Sequence, residues 1–175
     1  LRRFLAELKR KNSAKRTVVR KLGAIRSFFK FLFKDKYIDK NPADSIFTPK
    51  LDRRLPEFLD AEKALKLVTS PALDGVLGIR DRAILEVLYS TGVRVSELVG
   101  VNEDNVDLIS GVVKVRGKGK KERMALLGRE AQKALRNYLE CEERKPAGRD
   151  GALFLNKNGR RLTDRSVRRV IDKYV

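Results

Sequence analysis

Two short runs of this sequence carry side chains suited to phosphate chemistry. The first is Thr91-Gly92-Val93-Arg94-Val95-Ser96-Glu97-Leu98. Its arginine follows a glycine turn after an apolar helical run, and a glutamate comes three residues later. A guanidinium is planar and permanently charged, and it offers paired N–H donors to phosphate oxygens. A nearby carboxylate fixes its orientation. The same spacing also describes an ordinary surface ion pair. The second run, Val112 to Leu127, alternates, turns at Gly117–Gly119 and alternates again, which predicts a β-hairpin. On a strand, period two sends Lys114 and Arg116 to one face and Val113 and Val115 to the other. Lys118, Lys120, Lys121 and Arg123 continue the charge through the turn, with Glu122 the single acid among them. Such a line of cations, with glycines that admit a close backbone, suits docking beside nucleic-acid phosphates. A polar hairpin tip with no partner is the plainer alternative.

These runs need elements to position them. Val18, Leu22, Ile25, Phe29 and Leu32 recur at spacings of four and three, which predicts an amphipathic helix to about Lys34. Ser13 is its candidate N-cap. At about 100° per residue, Arg16, Arg20, Gly23, Ser27, Lys30 and Lys34 share the face opposite the stripe. A merely solvated face usually mixes signs, whereas this one holds four cations and no acid. It reads as a cationic ridge with small residues at its middle, where a phosphate backbone has room.

Thr48-Pro49 through Leu55-Pro56 has two prolines bracketing charge with little periodicity, and reads as a linker over 49–58. It divides the chain into a helical domain, 1–48, and a larger domain, 59–175. In the second domain Asp60 is placed to cap a helix over 61–69. Residues 79–90 form an apolar helix ended by Gly92, with Tyr89 assigned to packing. A short helix over Val95–Val99, a helix over 130–143, a strand edge at Leu153–Leu155 and a last helix capped by Thr163 complete the prediction. The fold class is α+β: mainly α with a small antiparallel β-sheet.

Composition agrees with a polyanionic partner. The 175 residues hold 41 Lys and Arg against 23 Asp and Glu, a net charge of +18. The first fifty contain 15 of the basic residues and only four acidic ones. Cys141 is the only cysteine and histidine is absent, so no internal disulfide and no Cys/His metal site is expected. One free thiol fits a reducing, cytoplasmic location. No stretch approaches a membrane span, and no signal peptide is visible.

The run Arg80-Asp81-Arg82-Ala83-Ile84-Leu85, then Leu88-Tyr89-Ser90-Thr91-Gly92-Val93-Arg94-Val95-Ser96-Glu97-Leu98, Asp107-Leu108 and Gly117-Lys118-Gly119-Lys120-Lys121-Glu122-Arg123, resembles the catalytic domain of tyrosine recombinases of the phage-integrase family, most closely the bacterial Xer type. The run from Ser13 to Leu32 resembles that family's helical, SAM-like core-binding domain, and Asn41-Pro42-Ala43 with Pro49-Lys50-Leu51 resembles the junction. The resemblance covers nearly the whole chain in the family's order. It implies a two-domain clamp on double-stranded DNA. A tyrosine attacks the scissile phosphate, giving a 3′-phosphotyrosyl link and a free 5′-hydroxyl, with no metal or other cofactor. Arg94 matches the arginine that holds the non-bridging oxygens, Lys118 the hairpin lysine that protonates the leaving 5′-oxygen, and Glu97 a supporting acid that orients Arg94. Arg16, Arg20, Ser27, Lys30, Lys34, Lys114, Arg116, Lys120, Lys121 and Arg123 are the expected DNA contacts.

The family's His-x-x-Arg pair, its further His or Trp and its nucleophilic tyrosine have no counterpart among these residues. Tyr37, Tyr89, Tyr138 and Tyr174 do not match the nucleophile's context. The expectation is a partial catalytic domain that binds DNA without cutting it, within a parent enzyme that works as a homo- or hetero-tetramer of recombinases on DNA. Two other readings stay open. One is a non-catalytic, naturally shortened DNA-binding protein. The other is a basic RNA-binding protein, which aromatic stacking platforms would favour; tryptophan is absent and most phenylalanines lie on apolar helices.

Overall fold

The computed structural model describes residues 1–51, 58–117, 119 and 121–175. The chain divides into two compact units, Leu1–Glu57 and Phe58–Val175. Lys118, Lys120 and most of the predicted linker lie outside the described residues.

The first unit is a helical hairpin with a turn laid against it. Helix α1 spans Arg2–Arg10 and α2 spans Lys15–Lys34. Asn12 takes a left-handed backbone conformation between them, which asparagine tolerates better than most residues. Ser13 is not the cap of α2: the N-cap is Ala14, with no side-chain hydrogen bond, while the Ser13 N–H donates to the Leu8 carbonyl and closes α1 instead. The apolar stripe lands as predicted. Leu22 is buried with Leu8, Ala43 and Ile46, and Val18, Ile25, Phe29 and Leu32 are half-buried. Pro42–Ser45 forms a turn in which the Asn41 side chain accepts from the Ala43 N–H at 2.9 Å. Arg26 ties this segment to α2 by donating to the Ile46 carbonyl and the Thr48 hydroxyl.

The second unit surrounds one apolar helix. Helix α3 (Ala61–Thr69) begins at Asp60, whose carboxylate accepts from the Lys63 N–H at 2.8 Å, the predicted cap. Helix α4 (Val76–Thr91) runs longer than predicted at both ends and buries Ala83 to Val87 among the other elements. Its buried Arg80 and Asp81 form an ion pair at 2.6 Å, and Asp81 also accepts from the Tyr174 hydroxyl at 3.2 Å, so α4 is tied to the final helix. Gly92 ends α4 in the left-handed conformation, φ 58°. Then come α5 (Val95–Val99), a 3₁₀ turn, and strands β1 (Val106–Asp107), β2 (Val112–Arg116) and β3 (Glu122–Leu126) in a purely antiparallel sheet of order β1-β2-β3.

Helix α6 spans Arg129–Leu139 and packs on α4; α7 spans Asp164–Tyr174, capped by Thr163 as predicted. The expected strand edge at Leu153–Leu155 is a buried connection instead, whose backbone pairs with other backbone, among the described residues, at the isolated bridges Asn102–Ala152 and Leu155–Arg161. Backbone bonds join the Leu153 N–H to the Val101 carbonyl and the Leu162 N–H to the Phe154 carbonyl, and side chains serve other groups: Tyr138 accepts from the Leu155 N–H, and Arg144 donates to the Ala152 and Leu153 carbonyls. Among the described residues no helix is long and apolar enough to cross a membrane.

Candidate nucleic-acid interface

The Arg94 turn is built by the end of one helix and the start of the next. Past Gly92, Val93 is buried and Arg94 is extended, with φ −69° and ψ 150°, as the N-cap of α5. Glu97 is therefore the third residue of α5, the position from which a glutamate reaches back to the N-cap amide. Its Oε2 accepts from the Arg94 N–H at 2.9 Å, and its Oε1 accepts from Arg94 Nη1 at 3.0 Å. The two residues meet as cap and third position, not as neighbours on one helix face. The glutamate side chain is 3% exposed and the arginine side chain 76%. The buried carboxylate anchors one edge of a guanidinium whose remainder faces solvent, a geometry suited to gripping a phosphate.

The hairpin meets the same carboxylate. The register pairs Arg116 with Glu122, Val115 with Arg123 and Lys114 with Met124. Val113 and Val115 are buried while Lys114 and Arg116 are exposed, as alternation predicts. Arg123 stands opposite Val115 and so belongs to the other face from Lys114 and Arg116. Its Nη2 donates to Glu97 Oε2 at 2.9 Å. At the start of the turn the Gly117 N–H bonds to the Lys121 carbonyl, and a side chain at Gly117 would put its Cβ 3.1 Å from Glu97 Oε1. The Arg94 amide holds the Glu97 carboxyl below its ordinary value, against the opposing effect of burial, and the Arg123 and Arg94 side chains add to the lowering. Glu97 is ionised at neutral pH.

On the outer face Lys114 pairs with Glu122 at 2.7 Å, and this ion pair, with Arg116 nearby, lowers the Glu122 carboxyl. The acid in the run thus offsets part of the hairpin's charge. Lys121 is exposed.

In the first unit, Arg16, Arg20, Gly23, Ser27, Lys30 and Lys34 are all exposed along α2. None of these four cations forms an ion pair among the described residues. A Cβ added at Gly23 would meet nothing within 4 Å, so the middle of the ridge is open. Tyr89, assigned to packing by its place on α4, is 59% exposed: it lies past the last fully buried turn, where the helix emerges from the core. The role of Arg123 against Glu97 escaped the sequence reading, although counting cross-strand partners outward from the Gly117–Gly119 turn would have found its face.

Residues 57–175 match the phage integrase family, and residues 1–36 match the phage integrase N-terminal SAM-like domain. Tyrosine recombinase XerC of Thermodesulfovibrio yellowstonii is 44% identical over 99% of this chain and 60% of its own length. That of Natranaerobius thermophilus is 46% identical over 100% and 60%. The chain thus spans about 60% of the length of these curated relatives. Among solved structures, XerA recombinase aligns with a TM-score of 0.61 at 26% identity, over 99% of this chain and 58% of that one. Tn1549 transposon integrase in complex with a circular intermediate DNA aligns at 0.73 and 22%, over 98% and 62%, and shares the fold. Lambda integrase bound to DNA does so at 0.71 and 15%, over 97% and 59%.

Proposed function

Because this chain belongs to the phage integrase family of tyrosine recombinases, in its Xer branch, we propose that it binds duplex DNA and supplies part of the strand-transfer centre of a site-specific recombinase. The observation that carries this is the Arg94 turn: an exposed guanidinium clamped at one edge by a buried, ionised carboxylate. In the whole recombinase Arg94 holds the non-bridging oxygens of the scissile phosphate as negative charge builds in the transition state. Glu97 keeps that guanidinium aimed without neutralising the site, since it also faces Arg123. Lys118 protonates the leaving 5′-oxygen as the general acid. The attacking tyrosine of the family is not matched by a tyrosine of this chain.

DNA contacts come from the α2 ridge, with Arg16, Arg20, Lys30 and Lys34 on phosphates and Ser27 and Gly23 admitting the backbone. On the hairpin they come from Lys114, Arg116, Lys120 and Lys121. The test uses the whole recombinase and a duplex carrying its site. Arg94→Ala and Lys118→Ala should each lower single-turnover cleavage by at least about a hundredfold while duplex affinity changes by less than about threefold. Cleavage at the unaltered rate in either variant would overturn the assignment of that residue.

A further inference from the structure

Arg123 lies in the cationic run of the hairpin, but its guanidinium is turned away from the face that carries Lys114 and Arg116. It shares one carboxylate with Arg94: Glu97 Oε2 accepts both the Arg123 Nη2 and the Arg94 amide, each at 2.9 Å. Gly117 closes on the other oxygen, leaving no room for a larger residue without a shift. Lys118 follows Gly117 directly in sequence. We infer that Arg123 is a positioning residue: with Gly117 it seats the hairpin on Glu97, so that Gly117, the residue before Lys118 in sequence, and the arginine at position 94 are held by one shared, buried anion. This rests on the reading of Arg94 and Lys118 given above and adds to it a residue that touches neither DNA nor the reacting atoms.

The chemistry favours this arrangement over a phosphate contact for Arg123. A carboxylate 3% exposed leaves a large desolvation cost unless its acceptor sites are filled. Arg94 alone fills part of them and has its remaining donors turned outward. Arg123 fills the rest from the sheet. Drawing Arg123 toward a phosphate would take a donor from Glu97 and loosen the Arg94 clamp with it.

The experiment is amide hydrogen exchange by NMR on the 175-residue chain, reading the Arg94 and Gly117 amides, which bond to Glu97 and to the turn. Arg123→Gln should speed exchange at Arg94 by about tenfold or more, the loss of one charged hydrogen bond at a shared acceptor. Arg123→Lys should restore part of the protection. Arg116→Gln, on the other face, should leave Arg94 within about twofold. Amides of Ile84 and Val87 in α4 report whether the fold survives. If Arg123→Gln unfolds the chain, Arg123→Lys decides, because a point charge cannot reproduce the fork geometry and should still speed Arg94 exchange. Unchanged Arg94 exchange in a folded Arg123 variant overturns the inference. So does weaker duplex binding with a salt slope reduced by about one and Arg94 protection intact, which would make Arg123 a phosphate contact. Cleavage that survives loss of Arg94 or Lys118 would instead sink the catalytic reading, and would leave the exchange result standing.

Discussion

Glu97 concentrates at one residue the electrostatics on which the Arg94 turn depends. Its carboxyl is lowered from the ordinary 4.5, first by the Arg94 amide and then by the two arginine side chains, while burial opposes them. A carboxyl whose folded value lies below its unfolded value contributes stability that is fully present above the unfolded value. That contribution is lost as pH falls through the folded value. Glu97→Gln keeps the shape and removes the charge. At neutral pH it should destabilise the chain by about 1.5–3 kcal/mol, the range for hydrogen bonds to a charged group. The gap between the two proteins should narrow as pH drops below 4.5, because the unfolded wild-type chain then binds a proton there and, at lower pH still, the folded side chain does so too. Urea unfolding at a series of pH values measures this, and a gap that stays constant down to the acid limit would contradict it. The Arg94–Glu97 pair was legible in the sequence as a spacing. Its burial was not, because that depends on a hairpin packing over α5 from some twenty residues downstream.

At the scale of elements, most of what the sequence foretold came from periodicity and caps. The stripe of α2, the Asp60 and Thr163 caps, the Gly92 stop and the hairpin alternation each follow from a local rule, and each stands. The miss at Ser13 is local, since its N–H closes α1, whereas the miss at Leu153–Leu155 has a long-range cause. Leu153–Leu155 has strand-like residues, yet its backbone partners are Arg144, Tyr138 and single bridges instead of a neighbouring strand. Two helical glycines show how tertiary context decides a sign. Alanine in place of glycine inside a helix usually stabilises by about 1 kcal/mol. At Gly23 the new methyl group meets open space, so Gly23→Ala should raise the unfolding free energy by roughly 0.5–1 kcal/mol. The same methyl group stands at the centre of the cationic ridge, so duplex affinity should fall even as stability rises. At Gly78 the added Cβ would collide with the Ala72 carbonyl, and Gly78→Ala should destabilise instead. Denaturant unfolding and duplex titration of both variants would check the pair, and equal shifts of one sign would contradict the packing described.

For the whole molecule, charge is the property that connects fold to partner. A net charge of +18 repels itself and is a liability for a compact protein unless a polyanion is to be bound. Each unit offers a cationic face of its own, the α2 ridge in one and the outer hairpin face in the other. Each phosphate neutralised on a duplex lowers the logarithmic salt slope by about 0.9 through counterion release. Reversing Arg16, Arg20 and Lys30 to glutamate removes three ridge cations that have no ion pairs among the described residues. The slope of log affinity against log salt should therefore become shallower by roughly 2.7, and affinity at low salt should fall steeply. Reversing Lys133, Arg136 and Lys157, which are exposed on the second unit, alters the net charge equally. A long-range field effect would treat the two triples alike, whereas contact at the ridge makes the first far more damaging. Fluorescence anisotropy on a labelled duplex at several salt concentrations separates these outcomes, and matching slopes for the two triples would remove the α2 ridge from the interface.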